Sequence, residues 1–369
     1  MGVFPEREFC LRLKRIREEM SRQGIDFLIV PYQGAENTFF YFVGYQPFGD
    51  ATLLIPLDEE PFLFFSASWD RDRIEESTFV KRLEEADQPF LAACRYVKGR
   101  FKGVAGVADY WKLPYGLYDE GLKSLSLETQ DATPCVKKVR LFHTEWEVGC
   151  YRRAVEIAER GMLRAVEILS QAPISGVSEF ELAQEIQLAM DEEEFCGFSG
   201  VCLASSKRTA QPIAAPTQKK IEPGDLVVID IGGVYRRYRS DICRTFVVGG
   251  EVRENQREWI NAVKFVLETL LEEVKPGMRT RAIQRRAFQL FEEKALSQGF
   301  LHHIGHDLGF KPGELMNFER DDMELGEGMV FALEPALYFR GQGGVRIENN
   351  VLLTASGLVS LNQLPLLFS

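Results

Sequence analysis

The sequence lacks several features that would place it in particular classes of protein. No segment approaches the roughly 18 consecutive apolar residues of a membrane-spanning helix. The N-terminus becomes charged before an apolar signal core could form, which predicts no secretion signal. The seven cysteines are scattered without a Cys-x-x-Cys pair, and this favours reduced thiols in a cytoplasmic protein over a disulfide framework.

Basic residues are also fewer than acidic residues. Lys and Arg number 44 against 55 Asp and Glu, for a net charge of -11. An acidic chain has no electrostatic attraction to phosphate backbones, so nucleic-acid binding is not expected. The composition, 45% hydrophobic and 27% charged, is that of an ordinary globular protein.

The length of 369 residues predicts about two domains. An α/β pattern runs to about residue 130, and Thr133-Pro134 marks a break, so we expect domains at 1–134 and 135–369. The first domain is predicted to contain a helix over residues 5–23 and buried strands over residues 26–30, 52–55 and 62–65.

The second domain has the pattern of an α+β fold. Its first two helices are predicted over residues 144–171 and from 178, and each begins with a capping box, Thr144 with Glu147 and Ser178 with Glu181. Strands are predicted over 226–233, 240–248, 329–339 and 344–354, with helices over 254–274 and 280–298. This order predicts helix pairs outside a largely antiparallel sheet.

Four carboxylates interrupt the most apolar strands of the second domain: Asp230, Asp241, Glu334 and Glu348. Burying unpaired carboxylates together is unfavourable, because each is desolvated and each repels the others. Arg346, two residues before Glu348, supplies a single positive charge, and one arginine cannot balance four carboxylates. The pattern therefore indicates divalent metal ions.

Imidazole is scarce but concentrated. Three of the four histidines, His302, His303 and His306, fall within five residues, just before the two glutamates. Carboxylates joined by an imidazole suit Mn²⁺, Co²⁺, Fe²⁺ or Zn²⁺. Asp230 and Asp241 lie on a predicted hairpin that can place their side chains opposite each other on one face, so that Asp241 bridges two ions.

The motifs resemble those of the pita-bread metallopeptidases: aminopeptidase P, prolidase and methionine aminopeptidase, with creatinase as a non-peptidase relative. The matching stretches are GDLVVIDIGGVYRRYRSDICRTF, HHIGHDLG, EGMVFALEPALY and GVRIENNVLLT. By this resemblance Asp230, Asp241, His306, Glu334 and Glu348 match five dinuclear metal ligands, and His302 matches a substrate-facing histidine. The first 130 residues are similar to the creatinase/prolidase N-terminal domain.

The resemblance implies a dinuclear metallohydrolase of the Xaa-Pro dipeptidase or aminopeptidase type, with Mn²⁺ as the first choice of metal and Co²⁺, Zn²⁺ or Fe²⁺ as others. A metal-bridging hydroxide would attack the bond before proline in a small peptide. Glu334 would take and return the proton, His302 would donate a hydrogen bond to the substrate or the tetrahedral intermediate, and Arg346 would hold the carboxylate ligands. The resemblance also implies a homodimer.

Two positions depart from the pattern of such peptidases. Ile213 stands where a Pro-His pair is usual, and Gly313 stands where a second histidine follows the ligand His306 by seven residues. Each loss could weaken peptidase chemistry by a factor of roughly 10² or more if nothing compensates. A small-molecule amidohydrolase or lyase on the same metal site is therefore an alternative, and a protein-binding module is a third, although such a module has no reason to keep five ligands.

Overall fold

The chain folds into two compact units, Met1–Arg140 and Leu141–Ser369, so that the division falls a few residues beyond the predicted boundary at 134. The computed structural model describes residues 4–33, 36–100, 103–123, 126, 128–171, 176–191 and 196–367. None of the helices within these residues combines the length and the apolar character needed to span a bilayer.

The elements of the first unit are α1 (Glu6–Gln23), β1 (Phe27–Pro31), α2 (Glu36–Val43), β2 (Ala51–Pro56), β3 (Phe62–Phe65), α3 (Arg71–Ser77), β4 (Arg82–Glu85), α4 (Pro89–Arg100), β5 (Ala105–Val107), α5 (Tyr115–Leu117), β6 (Thr129–Asp131) and α6 (Thr133–Leu141), at the end of which the division falls. Its strands form a mixed six-stranded sheet in the order β4-β3-β2-β1-β5-β6. Every residue of the central strand β1 is buried, as expected for a strand covered on both faces.

The elements of the second unit are α7 (Glu145–Leu169), α8 (Glu179–Met190), β7 (Cys196–Ser205), β8 (Leu226–Tyr235), β9 (Tyr238–Arg239), β10 (Ile242–Val247), α9 (Glu254–Glu273), α10 (Thr280–Glu292), β11 (Gly305–Asp307), β12 (Val330–Leu333), β13 (Ala336–Phe339), β14 (Gly343–Arg346), β15 (Asn349–Thr354) and β16 (Gly357–Ser360). Its described strands form three antiparallel sheets, β10-β8-β7 with β9 paired to β8, β11-β12-β15-β16, and β13-β14. The predicted α+β class with antiparallel sheets is confirmed.

The helices of the second unit cover the outer faces of its sheets. Val227, Ile229 and Ile231 of β8 pack with residues of α7 and α8 in one core. Phe331 of β12 and Val351 of β15 belong to a second core with residues of α9 and α10. Because strand side chains alternate, the residues between these positions point away from the helices.

Two strands predicted as continuous are each divided in the structure. The predicted strand at 329–339 breaks after Leu333 into β12 and β13, and the one at 344–354 breaks after Arg346 into β14 and β15. Pro335 lacks the N–H that a continued ladder would need. The two breaks carry Glu334 and Glu348, which therefore lie where the chain passes from one sheet to another.

Candidate metal centre

The predicted ligands occupy the faces of the sheets that point away from the helices. Asp230 lies in β8 between the core residues Ile229 and Ile231. His306 lies opposite Ala332 in the pairing of β11 with β12, so their side chains lie on the same face of the sheet. Glu334, two residues after Ala332, lies on this face just beyond the end of β12. The backbone N–H of Glu348 donates to the carbonyl of Cys243, which joins the second sheet to the first.

Asp241 is held between the two sheets by Asn350. The Asp241 N–H donates to Asn350 Oδ1 at 2.8 Å, and Asn350 Nδ2 donates back to the Asp241 carbonyl at 2.6 Å. In the β8–β10 register the residue opposite Asp230 is Cys243. Asp241 is therefore a diagonal neighbour of Asp230 on the same face, and not its directly opposite partner as the hairpin spacing suggested.

Three carboxylates converge on one imidazole nitrogen. His306 Nε2 lies 3.4 Å from Glu334 Oε1, 3.7 Å from Glu348 Oε1 and 3.8 Å from Asp241 Oδ2. His306 Nδ1 lies 2.8 Å from the carbonyl of Asp307, which can only accept, so Nδ1 carries the proton. The lone pair of Nε2 therefore faces the three carboxylates, as a metal ligand requires.

Asp230 is the ligand candidate that is paired with a cation, Arg346. Arg346 Nη2 donates to Asp230 Oδ2, while Nη1 donates to the Tyr338 hydroxyl at 2.6 Å and to the Pro212 carbonyl at 2.7 Å. Burial is the largest single influence and opposes the charge of Arg346, but Asp230, Cys243, Tyr338 and Glu334 together outweigh it and raise the pKa of the guanidinium well above its usual value. Arg346 is thus a permanent cation that orients Asp230.

The remaining carboxylates have no such partner. Burial raises the pKa of Glu334 to about 8 and, with the charges of neighbouring carboxylates, raises the pKa of both Asp241 and Glu348 well above the usual range. Glu334 Oε1 and Glu348 Oε1 are buried with no hydrogen-bond partner among the residues that the structure describes. Four carboxylates and one neutral imidazole form a donor set that fits divalent transition metals, and the unsatisfied oxygens are aimed where such ions would lie.

His302 has both ring nitrogens engaged. Nδ1 lies 2.7 Å from the carbonyl of His303, and Nε2 lies 2.9 Å from the hydroxyl of Tyr338. Desolvation, followed by the positive charge of Arg346, lowers the pKa of His302 to about 4, so the ring is neutral at pH 7. The Tyr338 hydroxyl therefore links Arg346 to His302.

The structure adds His303 and Tyr338 to the residues predicted from the sequence. His303 Nδ1 lies 3.1 Å from Glu334 Oε1, although the pair lacks hydrogen-bond geometry, and burial lowers the pKa of His303 to about 3. Side-chain atoms of His302, His303 and Glu334 lie close enough together to hold an ion, as do those of Asp241, His306 and Glu348. The histidine cluster pointed to His303, whereas Tyr338 has the pattern of a core tyrosine.

The two departing positions differ in their surroundings. Ile213 is 88% exposed, on the segment whose Pro212 carbonyl accepts from Arg346. Gly313 has a φ of +67°, in the left-handed region that favours glycine, and an added Cβ would lie 3.8 Å from that of His306. A side chain at 313 would have space, but its backbone would be strained.

Comparison with known proteins agrees with both units. Residues 149–355 match the model of metallopeptidase family M24, and residues 12–142 match the creatinase/prolidase N-terminal domain. An Xaa-Pro dipeptidase of Pyrococcus horikoshii is 29% identical over 94% of this chain and 95% of its own, and one of Pyrococcus furiosus is 29% identical over 95% and 97%.

Solved structures show the same likeness. The prolidase from Pyrococcus horikoshii OT3 superposes with a TM-score of 0.82 at 27% identity, covering 96% of this chain and 99% of that one. The Xaa-Pro dipeptidase from Bacillus anthracis gives 0.85 at 25% identity, covering 97% and 98%. This chain, with its pita-bread second unit, therefore belongs to metallopeptidase family M24.

Proposed function

We propose that the protein is an Xaa-Pro dipeptidase or aminopeptidase that hydrolyses the bond before proline at a dinuclear metal site. The ligands would be Asp230, Asp241, His306, Glu334 and Glu348. The observation that carries the proposal is the convergence of three carboxylates, two of them buried, on His306 Nε2, with Glu334 Oε1 and Glu348 Oε1 unsatisfied. Relatives that span almost the whole chain are named Xaa-Pro dipeptidases.

Charge balance supports two ions over one. Four carboxylates and the guanidinium of Arg346 leave three net negative charges in a largely buried site. One divalent cation would leave the site with a net negative charge. Two would give it a single net positive charge, which a bound hydroxide would cancel. We propose Mn²⁺ as the metal, with Co²⁺, Zn²⁺ or Fe²⁺ as alternatives.

The chemistry divides between the ions and the side chains. When bound, such ions lower the pKa of water and polarise a carbonyl. Glu334 takes a proton from the attacking water and returns it to the leaving amine. Nδ1 of His302 faces the His303 carbonyl and carries the proton of the neutral ring, so Nε2 accepts a hydrogen bond from the substrate in place of the one from the Tyr338 hydroxyl. Arg346 keeps Asp230 ionised and fixes Tyr338.

A small-molecule amidohydrolase or lyase on the same metal site is the alternative function. The observation behind it is that an exposed Ile213 and a bare Gly313 stand where peptidases of this type usually carry imidazoles. A binding module is disfavoured, because the chain keeps all five predicted ligand residues and three of their carboxylates converge on His306 Nε2.

The test combines metal analysis with substrates. The purified protein, loaded with Mn²⁺, is expected to bind about two equivalents and to cleave Xaa-Pro dipeptides or longer Xaa-Pro peptides. Glu334→Gln should lower kcat by roughly 10² or more, since an amide cannot transfer the proton. Glu327→Gln is the matched control, because Glu327 is exposed and outside the site. Full metal occupancy without cleavage of any Xaa-Pro peptide would contradict the peptidase function and leave the amidohydrolase or lyase alternative.

Compartment and assembly are further parts of the proposal. No disulfide joins the cysteines whose side chains the structure describes, which supports a reducing compartment such as the cytoplasm. Cys196 lies outside that set. Homodimerisation stays a prediction, and light scattering of the purified protein tests it.

A further inference from the structure

We propose that Arg239 forms an anion subsite that binds a carboxylate of the substrate. The inference rests on the proposed peptidase function and narrows it to peptides that carry a carboxylate close to the scissile bond. This carboxylate is either the C-terminal group of an Xaa-Pro dipeptide or the acidic side chain of the residue before proline.

Arg239 faces the same side as the two aspartates. It pairs with Val234 across β8 and β9, and Val234 shares the face of Asp230 by strand alternation. Ser240, the next residue, turns the other way, because its hydroxyl donates to the Ala154 carbonyl of α7 at 2.9 Å. Arg239 and Asp241 therefore both point away from that helix.

A cavity of about 330 Å³ lies on this side. Its lining includes Arg239, Asp230, Asp241, Cys202 and Pro312. An added Cβ at Gly200, which also borders the cavity, would meet no atom within 4 Å. The cavity thus connects the guanidinium with the aspartate side of the metal centre and offers room for a ligand.

The guanidinium of Arg239 is left without a partner within the described part of the chain. Its backbone N–H donates to the Gly309 carbonyl at 2.9 Å, but its side chain makes no hydrogen bond or ion pair there. Neighbouring arginines are engaged: Arg346 with Asp230, and Arg237 over the ring of Phe310. A planar fork of donors beside the site matches the geometry of a carboxylate.

The aspartates do not remove this charge. Asp230 is already paired with Arg346, and Asp241 is committed to the convergence on His306. Once divalent ions neutralise the ligands, Arg239 is a cation that no charge among the described residues of the cavity lining offsets. The positive charge of Arg239 would therefore attract an anionic group of the substrate.

Two substrate pairs separate the sources of the carboxylate. Ala-Pro is compared with Ala-Pro-amide for the C-terminal group, and Glu-Pro with Gln-Pro for the side chain. Wild type should prefer the anionic member of one pair, and Arg239→Gln should raise KM for it by about 10- to 100-fold with kcat nearly unchanged. Arg239→Lys should restore part of the preference.

Arg236→Gln is the matched control, since it removes the same charge three residues away and Arg236 does not line the cavity. Binding of the four peptides to the Mn²⁺-loaded protein is also measured by calorimetry, independently of turnover. A preference for an anionic peptide that Arg239→Gln abolishes supports the subsite, even if no peptide is cleaved and the proposed reaction fails. Equal binding of both members of each pair by wild type, or a preference that Arg239→Gln leaves intact, overturns it.

Discussion

The first unit and the metal centre of the second unit treat buried charge in opposite ways. In the first unit the fully buried Arg12 donates to Glu8 at 2.7 Å and to the Tyr41 carbonyl at 2.6 Å. Asp70, equally buried, accepts from the Tyr45 hydroxyl at 2.7 Å and from the Phe48 N–H at 3.1 Å. At the metal centre, Glu334 and Glu348 are buried with oxygens that no group in the described part of the chain satisfies.

The difference separates structural from functional charge. A buried ion costs several kcal/mol unless a partner offsets its desolvation. The first unit supplies the partners from its own chain, so its charges contribute to folding. The metal centre withholds them, so the offsetting charge must come from bound ions. Each prediction below tests whether that division holds.

The largest effect is expected from removing one unsatisfied carboxylate. Glu348→Gln keeps the shape of the side chain but supplies a poor metal ligand, so metal content should fall and kcat/KM should drop by about 10³-fold or more. Elemental analysis and peptide hydrolysis measure the two quantities. A variant that retains full metal and activity would remove Glu348 from the ligand set.

Breaking a satisfied pair in the first unit should affect stability alone. Arg12→Met leaves Glu8 buried without its cation, which should lower the free energy of unfolding by about 3–5 kcal/mol. Denaturant titration measures the loss, and the double variant with Glu8→Gln should recover part of it. Loss of bound metal at unchanged folding would contradict the division between the units.

The metal-free protein should lose stability as pH rises from 6.5 to about 8. Burial raises the pKa of Glu334 to about 8, so its native carboxyl keeps a proton that the unfolded carboxyl, with a pKa of 4.5, has released. The lowered pKa values of His302 and His303 act in the opposite direction, but only below their unfolded value of 6.5.

Above pH 6.5 the buried carboxylates therefore dominate, and stability falls by up to about 1.4 kcal/mol per pH unit for each extra proton held. Denaturant titrations of chelated and Mn²⁺-loaded protein across the window measure the effect, and the loaded protein should lack the fall. A metal-free protein that becomes more stable over the same window would show that these carboxylates are already neutralised by the chain.

Local signals in the sequence predicted much of the fold. Both capping boxes form as predicted, with Glu147 N donating to Thr144 Oγ1 at 3.1 Å and Glu181 N donating to Ser178 Oγ at 3.2 Å. Such motifs involve residues three apart, so the chain itself carries the geometry.

Long-range pairing was harder to predict. Strand periodicity continues through Glu334-Pro335, so it could not show that the strand changes sheets there. The five candidate ligands were predicted because their residue types occur in the same order as in the M24 motifs. The pairing of Tyr338 with both Arg346 and His302 depends on contacts between strands, which no local pattern encodes.

The smallest effect is expected at the two departing positions. Ile213→His should change the free energy of unfolding by less than about 0.5 kcal/mol, because the side chain is 88% exposed, and should raise kcat/KM on Xaa-Pro peptides by about tenfold at most. Gly313→His should instead cost roughly 1–2 kcal/mol, because its backbone lies at a φ of +67°. Ile213→Gln is the control for polarity alone. An equal gain from Gln would mean that position 213 lacks a polar side chain and not an imidazole. The residue at this exposed position would then contact the substrate but take no part in the proton transfers at the metal centre.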